Sequence, residues 1–226
     1  MESAWAWVLW HALGVTIKLC LVTFGASLVL SALLAAAAIS PWRALRVPIR
    51  FIVDLLRSIP ILALLIFVYY GLGKYTASWQ IDPFWMAAIA LTLGESAFLS
   101  EILRAGIEAI PRSQWEAAKS LGFSWTGTMR LVIAPQTVLP SMPAIVNMGI
   151  FTLKDSSLAS IIAVPEITQA ANDLVSQTFK PFQVFILLSL FYLAVILPFT
   201  FLAGRVEGVI ARHYGLSSDR ARAAHT

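Results

Sequence analysis

Five runs of about twenty mostly apolar residues dominate this chain, at 19–39, 51–72, 84–103, 131–153 and 182–203. A helix of that length crosses the hydrocarbon of a bilayer, which is about 30 Å thick. Composition points the same way: 59% of residues are hydrophobic and 12% charged, where a soluble domain carries about 25% charged residues. The mean hydropathy is +0.80. Backbone polar groups at membrane depth must be satisfied within the chain, and apolar runs of this length achieve that as helices. The expected fold is an all-α membrane protein with five transmembrane helices, in one transmembrane domain over residues 19–206.

Residues 1–18 read as an N-terminal interfacial segment or as an extension of the first span. Trp5, Trp7 and Trp10 suit a membrane surface. Residues 207–226 read as a cytoplasmic tail. The N-terminal stretch carries Glu2 and lacks the cationic start and cleavage site of a secretory leader. Cys20 is the single cysteine, which excludes an intrachain disulfide. His11, His213 and His225 are too scattered to suggest a metal site.

Twelve of the 16 Lys and Arg residues fall on one side of the spans. Arg43, Arg46, Arg50 and Arg57 surround the first connection, and Arg104, Arg112, Lys119 and Arg130 the third. Arg205, Arg212, Arg220 and Arg222 follow the last span. Lys18, Lys74, Lys154 and Lys180 lie on the other side. Cationic connections stay in the cytoplasm, so the N-terminus is expected outside and the C-terminus inside. Residues 105–130 then form a cytoplasmic loop.

That loop reads Ile110-Pro111-Arg112-Ser113-Gln114-Trp115-Glu116-Ala117-Ala118-Lys119-Ser120-Leu121-Gly122. Pro111 interrupts the preceding helix. Ser113 and Glu116 have the spacing of a capping box, which predicts a helix starting at Ser113. Gly122 suits its C′ position. A helix of about two turns is too short to persist alone and must dock on something. Ala117 and Ala118 permit close approach, and Trp115 and Leu121 offer apolar anchors. An interfacial helix lying on lipid headgroups satisfies the same pattern.

Several segments of the chain resemble one family. Glu116-Ala117-Ala118, then Gly122, then Val132 and Pro135 are similar to the EAA motif of ABC importer permeases, with Val132 in place of Ile and Ala134 in place of Leu. Arg57-Ser58-Ile59-Pro60-Ile61-Leu62, Ser100-Glu101-Ile102-Leu103-Arg104-Ala105-Gly106-Ile107, and Leu153-Lys154-Asp155-Ser156-Ser157-Leu158-Ala159-Ser160 followed by Val164-Pro165-Glu166 resemble the polar amino acid permeases of histidine and glutamine uptake. The resemblance covers roughly residues 13–206, in order and spacing.

It implies a permease subunit of the bacterial inner (cytoplasmic) membrane, multi-pass, without enzymatic activity. Such permeases pair as a homodimer or with a sister subunit. A coupling helix, here Ser113 to Leu121, sits in a groove of a cytoplasmic ABC ATPase dimer, and a periplasmic or extracellular binding protein delivers the amino acid. The residues expected to couple to the ATPase are Ser113, Trp115, Glu116, Ala117, Ala118, Leu121 and Gly122. No G-x-x-x-x-G-K-[ST] phosphate loop is present, so ATP and Mg belong to the partner and this chain binds no cofactor. No nucleic acid is implied.

Ionisable groups at membrane depth are expensive and often functional. Arg50, Asp54 and Arg57 share a helix face on the second span and can neutralise one another. Glu101, Arg104, Glu108 and Arg112 form a similar stripe. Glu95 is different: no basic residue lies within a turn, so the carboxyl must keep its proton or face water. It is expected to line the substrate path with Ser96, Asn147 and Thr152 and to meet a cationic or zwitterionic amino acid. A hydrogen bond to a neighbouring helix is the plainer reading of Glu95.

Pro135, Pro140 and Pro143 predict an irregular start to the fourth span, as transporter substrate sites often have. Asp155 or Ser156 is expected to cap a short re-entrant outer helix over 158–164, stopped by Pro165. Lys154, Asp155, Ser156 and Pro165 are the expected gate or elbow. The competing function is an ATP-independent channel or secondary transporter for small polar solutes. Five spans without an internal repeat, and a docking helix without a purpose there, count against it. An intramembrane enzyme finds no His-carboxylate or Ser/His cluster in this sequence.

Overall fold

The computed structural model describes residues 2–72 and 81–213. Among them the chain is helical throughout, without a strand. The expectations for Lys74, Arg220, Arg222, His225 and the tail beyond residue 213 lie outside the described residues.

Helix α1 runs Glu2–Ala38 without interruption, about 55 Å at 1.5 Å per residue. The expected boundary at 18/19 falls inside it. Trp7 and Trp10 are exposed, but Trp5 is not an interface residue: it is buried with Leu9 and Leu13 in a cluster completed by Ile167, Leu174, Val184 and Leu188.

The second expected span is not one helix. It is α2 (Arg43–Ser58) followed by α3 (Ile61–Ile66) and a π turn over Phe67–Leu72. The two parts are bent by 102°. Ile59 (φ −89°, ψ 125°) and Pro60 (φ −55°, ψ 134°) form the extended joint. The ring of Pro60 pushes the preceding residue out of the helical region.

Helix α4 (Pro83–Glu108) is the central element. The side chain of Asp82 accepts from the N–H of Phe84 at 2.8 Å, with Pro83 in the first turn, a favoured helix start. Ala87, Ala90, Ala97 and Ser100 keep its surface low, and α1 packs on it more extensively than any other helix does. Small residues permit such approach where lipid offers no hydrophobic drive for association. A Cβ on Gly106 would fall 2.8 Å from Ser141 Oγ and from Thr137 Cγ2, so the C-terminal end of α4 sits hard against the following long helix.

Then come α5 (Arg112–Ser120), α6 (Trp125–Thr128), a π turn (Met129–Ile133) and α7 (Ala134–Asp155). The irregularity expected from the prolines lies one turn before them, in the π turn. Pro140 and Pro143 are inside a continuous helix. Side chains satisfy carbonyls around the proline region: Gln136 Nε2 donates to Val132 O at 3.0 Å and Thr137 Oγ1 to Ile133 O at 3.0 Å.

A 3₁₀ helix over Ser156–Ile162 leads to α8 (Ile167–Thr178) and α9 (Pro181–His213). Among the described residues four helical stretches are long and apolar enough to span, namely Ala4–Ala38, Pro83–Glu108, Trp125–Ile162 and Pro181–Ile210, and the bent pair makes a fifth. Leu19, Leu64, Leu65, Met86, Leu91 and Ile162 centre the main apolar core.

Glu166 caps α8, its Oε1 accepting from the N–H of Gln169 at 2.8 Å. Its other oxygen is buried and has no hydrogen-bond partner among the described residues. Burial pushes this carboxyl from its ordinary 4.5 up to about 7, against the lowering influence of the nearby donors on Thr168, Gln169 and Tyr192. A carboxyl raised in the folded state stabilises through its protonated form. That contribution is complete below about pH 4.5 and is lost as pH rises through about 7. Glu166→Gln, which cannot ionise, is expected to flatten the fall of Tm between about pH 5 and pH 8 in detergent. An unchanged slope would assign that fall to other groups.

Candidate functional site

Two features emerge, a short, largely exposed helix between α4 and α6 and a carboxyl buried within the bundle. Helix α5 starts at Arg112, one residue earlier than the capping box predicts. Pro111 occupies the N-cap position and no side chain caps the helix, so the Ser113–Glu116 box does not form. Proline pre-sets its own φ, here −56° with ψ 139°, and that suffices to turn the chain into the helix.

The other end follows the glycine expectation. Gly122 has φ +80°. Its N–H donates to Lys119 O at 3.0 Å and that of Phe123 to Ala118 O at 3.1 Å, the paired bonds of a Schellman motif.

The faces of α5 divide cleanly. Ser113, Glu116, Ala117 and Leu121 are exposed, Leu121 at 78%, and Trp115 is half-buried. Ala118 is buried against its own chain, so only Ala117 of the alanine pair is free for an outside contact. Helix α5 rests on α6 and the π turn, with Gln136 Nε2 donating to Gln114 Oε1 at 3.5 Å.

Within the bundle, Glu95 is 1% exposed. Its Oε2 accepts from Thr152 Oγ1 at 2.7 Å and from Ser27 Oγ at 3.5 Å, while Oε1 is buried and has no hydrogen-bond partner among the described residues. Thr152 also reaches Met148 O at 3.1 Å, so its one proton has two acceptors. Ser96 is buried beside Glu95 and bonds Leu93 O at 3.1 Å. Asn147 is exposed and not gathered with the other three.

Ser27 was not anticipated. It belongs to a buried stripe on α1, Thr16, Thr23, Ser27 and Ser31. Those intervals of seven, four and four were legible as one helix face.

The segment from Lys154 to Pro165 differs from expectation in one detail. Asp155 stands at the N-cap of the 3₁₀ helix but its side chain makes no cap bond, and Ser156 instead donates back to Leu153 O at 2.8 Å. The 3₁₀ helix is therefore a tightened continuation of α7 rather than a newly capped element. Ala163, at φ 59°, ends it ahead of the exposed Pro165. Lys154 is exposed, its Nζ 5.7 Å from the Phe151 ring centre.

Neither charge stripe neutralises within one helix alone. Arg50 pairs with Glu108 at 3.2 Å and Arg57 with Glu101 at 3.4 Å, both across from α2 to α4. Arg104 bonds Glu101 at 2.8 and 2.6 Å and Glu108 at 2.6 Å. The expected pairing of Arg50 and Arg57 with Asp54 is replaced by these interhelical contacts, because α4 brings two carboxylates alongside at matching intervals.

A family model described as the binding-protein-dependent transport system inner membrane component matches residues 27–213. The chain is 33% identical over 197 residues to the arginine transport system permease protein ArtQ of Bacillus subtilis (strain 168), covering 87% of this chain and 90% of that protein. It is 36% identical over 162 residues to the probable glutamine ABC transporter permease protein GlnP of the same organism, covering 70% of this chain and 73% of that protein. Its fold is similar to a solved amino acid ABC transporter with histidines, with a TM-score of 0.83 and 29% identity over 91% of this chain and 95% of that one.

Proposed function

We propose, from the premise that this chain belongs to the family of binding-protein-dependent transport system inner membrane components, that it is the permease subunit of an importer for polar amino acids. It is a multi-pass inner-membrane protein whose relatives are transport subunits. On this reading a separate ATPase, holding ATP and Mg, drives it from the cytoplasm. A binding protein delivers the substrate from outside, and a second permease, a copy or a sister subunit, completes the pore. The N-terminus lies outside and the C-terminus inside, as the distribution of Lys and Arg requires.

The observation that carries the proposal is α5. A nine-residue helix cannot persist alone in water. Here it hangs by its ends from α4 and α6, with Glu116, Ala117 and Leu121 turned outward. A rigid knob of this form suits a protein groove that pushes and pulls it. Trp115 and Ala118 face its own chain, Gly122 ends it, and Ser113 is exposed with the outward residues.

The substrate class follows from Glu95. A buried carboxyl with one oxygen held by Thr152 and the other without a hydrogen-bond partner among the described residues offers an acceptor to an ammonium or guanidinium when the path opens. Ser96, Thr152 and Asn147 contribute polar groups along that path. Lys154, Asp155, Ser156 and Pro165 form the outer elbow that gates it. The substrates are cationic or zwitterionic amino acids.

The test is reconstitution of the purified permease with its co-purifying ATPase and binding protein in liposomes. Labelled arginine, histidine and glutamine are expected to enter only with ATP, and to stimulate its hydrolysis. Uptake that proceeds without ATP would overturn the proposal in favour of a channel or secondary transporter.

A further inference from the structure

Arg50 occupies a position that neither the docking helix nor the buried carboxyl explains. Its Nε donates to Ala38 O at 2.9 Å and its Nη2 to Glu108 Oε1 at 3.2 Å. Ala38 is the last residue of α1, so its carbonyl has no acceptor role left within the helix. Glu108 is the last residue of α4. One side chain on α2 therefore joins the ends of two other helices.

A second contact, Arg57 to Glu101 at 3.4 Å, repeats the first at an interval of seven residues on both helices. Seven residues are about two turns, so α2 and the last turns of α4 run side by side in opposite directions. Arg104 braces both carboxylates from within α4. On the far side, Gly106 seats α4 against Thr137 and Ser141 of α7.

The ends of this ladder are informative. Three residues separate Glu108 from Arg112, where α5 begins. Arg57 stands two residues before Ile59 of the extended Ile59–Pro60 joint, across which α2 and α3 bend by 102°. Between the docking helix and the joint there is thus a continuous charged splint. Half-exposed ion pairs such as Arg50–Glu108 contribute little to stability on their own, so its value lies in fixing the relative position of three helices.

We infer that Arg50 is a positioning residue: through Ala38 O and Glu108 it makes the cytoplasmic parts of α1, α2 and α4 move as one lever, which carries displacement of α5 to the Ile59–Pro60 joint. This rests on the importer reading given above. Without the staple, α5 can still be gripped and ATP hydrolysed, while the joint no longer follows.

The experiment compares wild type, Arg50→Gln, Arg50→Lys, Glu108→Gln and the double Gln variant. Each is reconstituted with ATPase and binding protein, and both ATP hydrolysis and uptake of labelled arginine, histidine and glutamine are read. Arg50→Gln is expected to keep hydrolysis within about twofold while uptake per ATP falls about tenfold, in the range mutations along a coupling route produce. Glu108→Gln behaves alike, and the double variant is no worse than either single one, as residues in one connection require. Arg50→Lys, which keeps the charge, restores part of the uptake. Unchanged uptake in Arg50→Gln overturns the inference, and so does a parallel fall of uptake and hydrolysis, which marks a merely structural contact. A wild type that hydrolyses no ATP with its partner refutes the importer reading instead.

Discussion

Replacing Leu121 with Asp is expected to abolish ATP-driven uptake without unfolding the permease. Leu121 is 78% exposed at the C-cap of α5. Burying a leucine contributes about 1.5–3 kcal/mol, so its loss from a protein groove weakens the grip by about tenfold to a hundredfold. A carboxylate in the same dry groove adds a further desolvation cost. The measurement is uptake together with recovery of the ATPase on purification of the tagged permease. Both are expected to fall at least about a hundredfold, with Tm unchanged because the position is solvent-facing. Full retention of the ATPase by Leu121→Asp would show that this face of α5 is not the grip.

Glu95→Gln has the second-largest expected effect. The amide keeps the shape of the carboxyl and can still accept from Thr152, so the bundle should survive. On the proposed reading, what disappears is the carboxylate offered to a cationic substrate. A charge-assisted hydrogen bond is worth about 1.5–3 kcal/mol, so uptake of arginine is expected to fall about tenfold to a hundredfold, with a smaller change for glutamine. Thr152→Val is expected to do less, since it removes one donor and leaves the carboxyl. Equal losses for both amino acids, accompanied by a fall in Tm, would reduce Glu95 to a helix-packing group.

The long apolar runs were legible because the membrane leaves a helix no alternative, and the structure displays them as α1, α4, the Trp125–Ile162 stretch and α9. The bend in the second run was hidden. Apolar content continues across Ile59–Pro60, and only the proline marks the place. The capping box failed because Pro111 had already fixed the turn. Residues expected to pair along one helix paired across helices instead, as Arg50 and Arg57 do with Glu108 and Glu101. Periodicity shows which residues share a face but not which helix that face meets. The same limit applies at Glu95. Its lack of a local basic partner was plain, whereas Ser27 and Thr152 come to it from α1 and α7 through tertiary packing. Trp5 looked interfacial by type and is core by position, because α8 and α9 cover it.

The most direct test is photo-crosslinking from position 121. Cys20→Ser removes the single cysteine, and Leu121→Cys then carries a benzophenone reagent in the assembled transporter. The account predicts labelling only from the cytoplasmic side and one adduct, between the permease and the ATPase, whose yield changes with ATP. Labelling from outside the cell, or adducts to lipid alone, would contradict it.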